Sequence, residues 1–167
     1  ARPAEEMVLG LIDQIREQYN IDSDRIFLAG LSNGAIGAYM IGMFYPDRFA
    51  GLIPIAGSIT PRYMHFLVNL RNTPIYMIQG AHDPVFPIQL SRRIQKILSD
   101  MKYPVTYREH GEKGTAHGGH FLPESEVPAM LEWIRQQKRR KNPDVVRMTR
   151  EGNHLGAIHW ARLVRGR

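Results

Sequence analysis

The sequence predicts an α/β fold in which a parallel sheet lies between layers of helices, a three-layer α/β/α sandwich, with a short β-hairpin extension at the C-terminus. Two observations point to it. Short apolar bursts alternate with longer stretches whose apolar residues recur every three or four positions. The bursts are apolar almost throughout, which suits strands buried on both faces.

In chain order, residues 4–19 place Val8, Leu11, Ile12, Ile15 and Tyr19 on one helical stripe, with Glu5 and Glu6 in the first turn, where carboxylates suit the helix dipole. A polar loop at 20–24 leads to the first strand burst, Ile26-Phe27-Leu28-Ala29. Gly30-Leu31-Ser32-Asn33-Gly34 then opens a helical stretch that runs to about Phe44 and is closed by Pro46. Residues 51–57, Gly-Leu-Ile-Pro-Ile-Ala-Gly, form a second strand in spite of Pro54. A mixed connection over 58–72 holds a short helix at 63–70, and 74–79 carry a third strand with Ile75-Tyr76-Met77-Ile78. After a loop at 80–87, Leu90, Ile94, Ile97 and Leu98 mark a helix over 88–101, and 105–109 read as the fourth strand. Residues 111–123 hold four glycines and two histidines and read as a loop. A last helix over 124–137 sets Val127, Met130, Leu131 and Ile134 on one face with Trp133 beside them. Asn142-Pro143 marks a boundary between a body, 1–141, and a tail, 142–167. In the tail, 145–149 and 157–161 read as two strands around a polar turn at 151–156, a hairpin too small to be stable alone.

The chain has 167 residues, enough for one ordinary domain, with 43% hydrophobic and 23% charged residues. No apolar run approaches the roughly 18 residues of a membrane span, so no membrane partner is expected. The start of the chain shows no secretory leader, and its compartment cannot be read. The absence of cysteine excludes disulfides, thiolate zinc sites and a cysteine nucleophile. The net charge of +6 divides unevenly: residues 135–167 carry +8 and the remainder −2. No aromatic residues interleave with the basic run at 138–141, so it reads as a solvated helix end and linker and not as a nucleic-acid surface.

The chemistry concentrates in three segments. Gly30-Leu31-Ser32-Asn33-Gly34 fits G-x-S-x-G between a strand and a helix. A sharp turn there lifts the Ser32 hydroxyl above the sheet, and Gly30 and Gly34 are expected to prevent clashes as strand and helix close. A serine needs a base, and the base needs an orienting carboxylate. Asp83 follows the third strand directly, as an acid at a strand's C-terminal end should. The base is expected from Ala116-His117-Gly118-Gly119-His120-Phe121, with His117 preferred because paired glycines follow it and His120 as the alternative. A metal site built from His110, His117, His120 and Glu112 lacks further ligands at defined spacing, and no cofactor is expected. His82 is expected to shape the pocket, and Phe86, His65 and Met64 to line it.

These residues resemble the α/β-hydrolase superfamily, within it the dienelactone hydrolase, polyhydroxybutyrate depolymerase-like and prolyl oligopeptidase-like group. The span 25–34 is similar to that group's nucleophile strand and elbow, 45–57 to its next helix end and strand, 80–87 to its acid loop, and His117-Gly118-Gly119 to the segment around its base. The resemblance covers about residues 4–135, with Ala35 where the group usually has glycine. It implies a serine hydrolase of small esters, or alternatively peptides, working through an acyl-serine. It also implies that the backbone N–H of Asn33 is one oxyanion donor. The group's earlier strands and second oxyanion loop have no counterpart before residue 4, so the chain is expected to be the C-terminal half of the fold. A non-catalytic binding module of the same fold is the alternative.

Overall fold

The structure is a computed structural model that describes residues 2–114, 117–150 and 157–162. Its centre is a parallel sheet of four strands, β1 (Phe27–Leu31), β2 (Gly51–Ile55), β3 (Ile75–Gly80) and β4 (Val105–His110), paired in that order. β2 and β3 are buried along their whole length, which is why their sequences show no alternation. The helices are α1 (Arg2–Gln18), α2 (Asn33–Phe44), α3 (Ile88–Asp100) and α4 (Val127–Gln136). Pro61–Leu70 is a 3-10 helix opened by a proline, and Glu124–Glu126 is a 3-10 turn leading into α4.

Alternate strand residues feed two cores. Leu52, Ile75 and Met77 face α2, α3 and the 3-10 helix through Tyr39, Ile94, Leu98 and Phe66. Ile53, Ile55, Tyr76 and Ile78 face the other way, onto Met130, Trp133 and Ile134 of α4. Gly51 lets Trp133 approach the sheet closely, because a Cβ there would come within 2.6 Å of its ring.

Two expectations change. The α1 stripe rotates: Val8, Leu9 and Ile12 pack on the core, while Leu11, Ile15 and Tyr19 are exposed. In the tail, 145–149 form no strand. The antiparallel pair is instead β5 (Ala157–Ile158) with β6 (Ala161–Arg162), turning through His159 at φ 52°. The polar turn expected at 151–156 lies outside the described residues. What fixes 145–149 is hydrogen bonding to the body. Asn69 donates to the Thr149 carbonyl and accepts from its N–H, and Asn72 donates to the Val145 carbonyl. The basic run is similarly engaged, with Arg139 and Lys141 on Asp24 at 3.0 and 2.9 Å. Those two cations hold the Asp24 carboxyl below its ordinary pKa, Lys141 contributing most.

Candidate active site

β1 ends at Leu31 and α2 begins at Asn33, so Ser32 alone turns the chain. It does so at φ 58° and ψ −118°, a backbone region that is strained for a residue with a Cβ. Its N–H donates to the Ile55 carbonyl at 2.9 Å, tying the turn to the end of β2. Gly30 is required as expected, because a Cβ there would strike the Gly34 carbonyl. Gly34 is not: the space where its Cβ would lie is open. The second residue that must stay small is Gly57, where a Cβ would sit 2.7 Å from the Ser32 carbonyl oxygen and from the Ala35 methyl.

The acid loop follows β3. Asp83 has a side chain with no solvent exposure, and all its lone pairs have work. Oδ1 accepts from the N–H groups of Val85 and Phe86 at 2.8 and 2.9 Å. Oδ2 accepts from Gln79 Nε2 at 3.0 Å and lies 2.9 Å from His120 Nδ1. Burial alone raises the carboxyl's pKa, but the bonds from Phe86, His120, Val85 and Gln79 outweigh it and hold the group below its ordinary 3.8. Gln79 is in turn fixed by Ser91, whose hydroxyl donates to its Oε1. Sequence reasoning missed Gln79; the signal was a single amide inside an otherwise apolar strand, four residues before the acid.

The histidine that meets Asp83 is His120, not the preferred His117. His120 Nε2 lies 3.0 Å from Ser32 Oγ, completing a continuous line from carboxylate to hydroxyl. His117 is exposed and contributes its carbonyl, which accepts the His120 N–H. The reason is the paired glycines. Gly118 takes φ 59°, and Gly119 donates its N–H to the His82 carbonyl at 3.1 Å. Any Cβ on Gly119 would lie 3.0 Å from the Asp83 nitrogen. The glycines therefore press the loop onto the acid loop after His117 has passed, and the next side chain enters the site.

Phe86 stacks on the His120 ring at 5.9 Å and lines an adjoining cavity. His65 does not: it is exposed, with its ring tilted against Phe66. Met64 is buried in the core, and His82 keeps its side chain exposed while its carbonyl pins Gly119. His110 is buried against Phe121 away from the line, and among the described residues no group of three His, Cys, Asp or Glu is placed to hold a metal. Asn33 is exposed at the first position of α2, where a backbone N–H has no acceptor within the helix.

Residues 3–137 match the model of the phospholipase/carboxylesterase family. A solved thermostable esterase superposes with a TM-score of 0.70 at 30% identity, over 83% of this chain and 38% of its own. A bifunctional acetylxylan esterase/xylanase of Neocallimastix patriciarum is 30% identical over 84 residues, 50% of this chain and 12% of that protein. Acyl-protein thioesterase 1 of Schizosaccharomyces pombe is 31% identical over 81 residues, 47% of this chain and 36% of that protein. The chain thus spans well under half the length of each of these relatives. No helix among the described residues is long and apolar enough to cross a membrane. A parallel sheet flanked by helices, with the family match over most of its length, makes this chain a member of the phospholipase/carboxylesterase family of α/β-hydrolases.

Proposed function

We propose that the chain carries the reaction centre of a serine hydrolase that cleaves small carboxylic esters, with Ser32 as nucleophile, His120 as base and Asp83 as the acid that orients it. The supporting observation is the line Asp83 Oδ2 to His120 Nδ1 to His120 Nε2 to Ser32 Oγ, at 2.9 and 3.0 Å.

His120 Nε2 takes the Ser32 proton as Oγ attacks the ester carbonyl, and the carbonyl π electrons move onto oxygen. The Asn33 N–H donates to that oxyanion from the helix terminus. Collapse re-forms the carbonyl and breaks the bond to the alcohol oxygen, which leaves with the proton from His120. Water then gives His120 a proton and attacks the acyl-serine. The proton returns to Ser32 Oγ as the acid departs. Asp83 stays ionised and accepts the Nδ1 hydrogen throughout, so Nε2 is the nitrogen free to take the proton.

Hydrolysis of p-nitrophenyl acetate and butyrate by this chain tests the reading. Ser32→Ala and His120→Ala are each expected to lower kcat by about 10³-fold or more. His117→Ala is expected to cost less than tenfold. Turnover that survives Ser32→Ala would reject the assignment.

A further inference from the structure

The two oxygens of Asp83 are held in different ways. Oδ1 accepts from two backbone N–H groups of its own loop, Val85 at 2.8 Å and Phe86 at 2.9 Å, so it stays anchored wherever that loop goes. Oδ2 meets two side chains instead, His120 Nδ1 at 2.9 Å and Gln79 Nε2 at 3.0 Å. His120 gains and loses a proton as the proposed reaction runs. Among the described residues, Gln79 is therefore the contact that fixes Oδ2 independently of the base.

The surroundings of Gln79 determine which end of its amide meets the acid. Gln79 is 1% exposed and stands next to last in β3. Its Nε2 lies among three oxygens: Asp83 Oδ2, the Gly80 carbonyl at 3.4 Å and the Phe86 carbonyl at 3.5 Å. An ionised carboxylate and two carbonyls only accept, so a reversed amide would set oxygen against oxygen. Its Oε1 is met by the hydroxyl of Ser91, in the first turn of α3, at 3.2 Å. Facing a carbonyl oxygen, that hydroxyl donates. Ser91 is also 1% exposed, and the Asp83 side chain is fully buried, so bulk water does not take the place of a missing donor in this row.

We infer that Ser91 and Gln79 are positioning residues: Ser91 Oγ holds the Gln79 amide, and the amide holds Asp83 Oδ2 at the place where His120 Nδ1 meets it. The effect of that placement on turnover rests on the serine-hydrolase reading. Both residues are buried and act through Asp83, so neither touches substrate. Without Ser91, Gln79 Oε1 is a buried oxygen that lacks its donor, and the amide turns away from Asp83 to find another. Oδ2 then keeps His120 alone, and the imidazole loses its fixed aim at Ser32 Oγ. A misplacement of about 1 Å at a reacting group can cost about a hundredfold in rate, so a shift of a fraction of that is expected to be measurable.

The test is a double-mutant cycle on p-nitrophenyl butyrate hydrolysis, using Ser91→Ala, Gln79→Met and the two together. Methionine keeps the length of glutamine and fills its space without a donor. Ser91→Ala is expected to lower kcat about fivefold and Gln79→Met about tenfold, each with KM within about twofold of native. Because Ser91 acts through Gln79, the double variant is expected to match Gln79→Met at about tenfold, and not the product of about fiftyfold. Independent effects on kcat, or losses that fall on KM, would overturn the inference. A second measurement needs no turnover: the low-field proton NMR resonance of His120 Nδ1–H, assigned by its absence in His120→Ala. Ser91→Ala and Gln79→Met are each expected to shift or broaden it, and an unchanged resonance in both overturns the inference. A native chain that shows the resonance but cleaves no ester counts against the hydrolase reading alone, and the resonance in the two variants then decides the role of Ser91 and Gln79. A native chain with neither turnover nor the resonance overturns both readings.

Discussion

At Ser32 the backbone is held at φ 58° and ψ −118°, a conformation that costs about 1–3 kcal/mol when a Cβ is present. Ser32→Gly removes the Cβ and the hydroxyl together. Its melting temperature is expected to rise by a few degrees while ester turnover is lost. A lower melting temperature would show that the turn is not strained. Asp83 makes a second prediction at this scale. Burial opposes its ionisation, but the hydrogen bonds from Phe86, His120, Val85 and Gln79 win and depress its pKa below 3.8. The folded chain therefore holds this proton more weakly than the unfolded chain. The stabilisation is present above about pH 4 and is lost as pH falls through the depressed folded value. Between pH 6 and pH 3, Asp83→Asn is expected to lose less melting temperature than the native chain; equal losses would contradict the shift. Ser32 and Asp83 were legible because strand ends fix where such residues fall. The choice between His117 and His120 was not, because it depends on how Gly118 and Gly119 fold the loop against His82 and Asp83.

Among elements, the junction of β1, α2 and β2 separates two glycines that a motif treats alike. Gly34 has open space around its missing Cβ and lies inside a helix, so Gly34→Ala is expected to stabilise the chain by about 0.5–1 kcal/mol. Gly57 lies against the Ser32 carbonyl, so Gly57→Ala is expected to destabilise by about 1–3 kcal/mol and to lower turnover by displacing Ser32, the proposed nucleophile. Denaturant unfolding measures both, and equal effects would contradict the packing described. The motif could mark Gly30 from the sequence, but Gly57 follows the end of another strand, β2, and is recognisable only when the two strand ends are seen together. The tail shows the same limit. Its apolar runs read as strands of a hairpin, yet Asn69 and Asn72 supply the hydrogen bonds that a partner strand would otherwise give to 145–149.

For the whole molecule, the two edges of the sheet differ. β4 presents Arg108 and Glu109, charged residues that discourage pairing. β1 presents Ala29 and Leu31, and α1 adds exposed Met7, Leu11 and Tyr19. These exposed apolar residues are expected to make the chain self-associate at micromolar concentration, and Leu11→Glu/Tyr19→Glu to reduce it in sedimentation velocity. A monomer at every concentration would contradict this. The parallel sheet was readable because burial on both faces leaves β2 and β3 apolar at every position. The exposed side of α1 was not readable, because helical periodicity places a stripe without saying what covers it. The central claim is that Asp83, His120 and Ser32 act as one unit. It is tested most directly by treating the chain with a fluorophosphonate and locating the adduct by peptide mass spectrometry. The expected result is a single adduct on Ser32 that disappears in His120→Ala and persists in His117→Ala. A chain that stays unlabelled, or an adduct that survives His120→Ala, would contradict it.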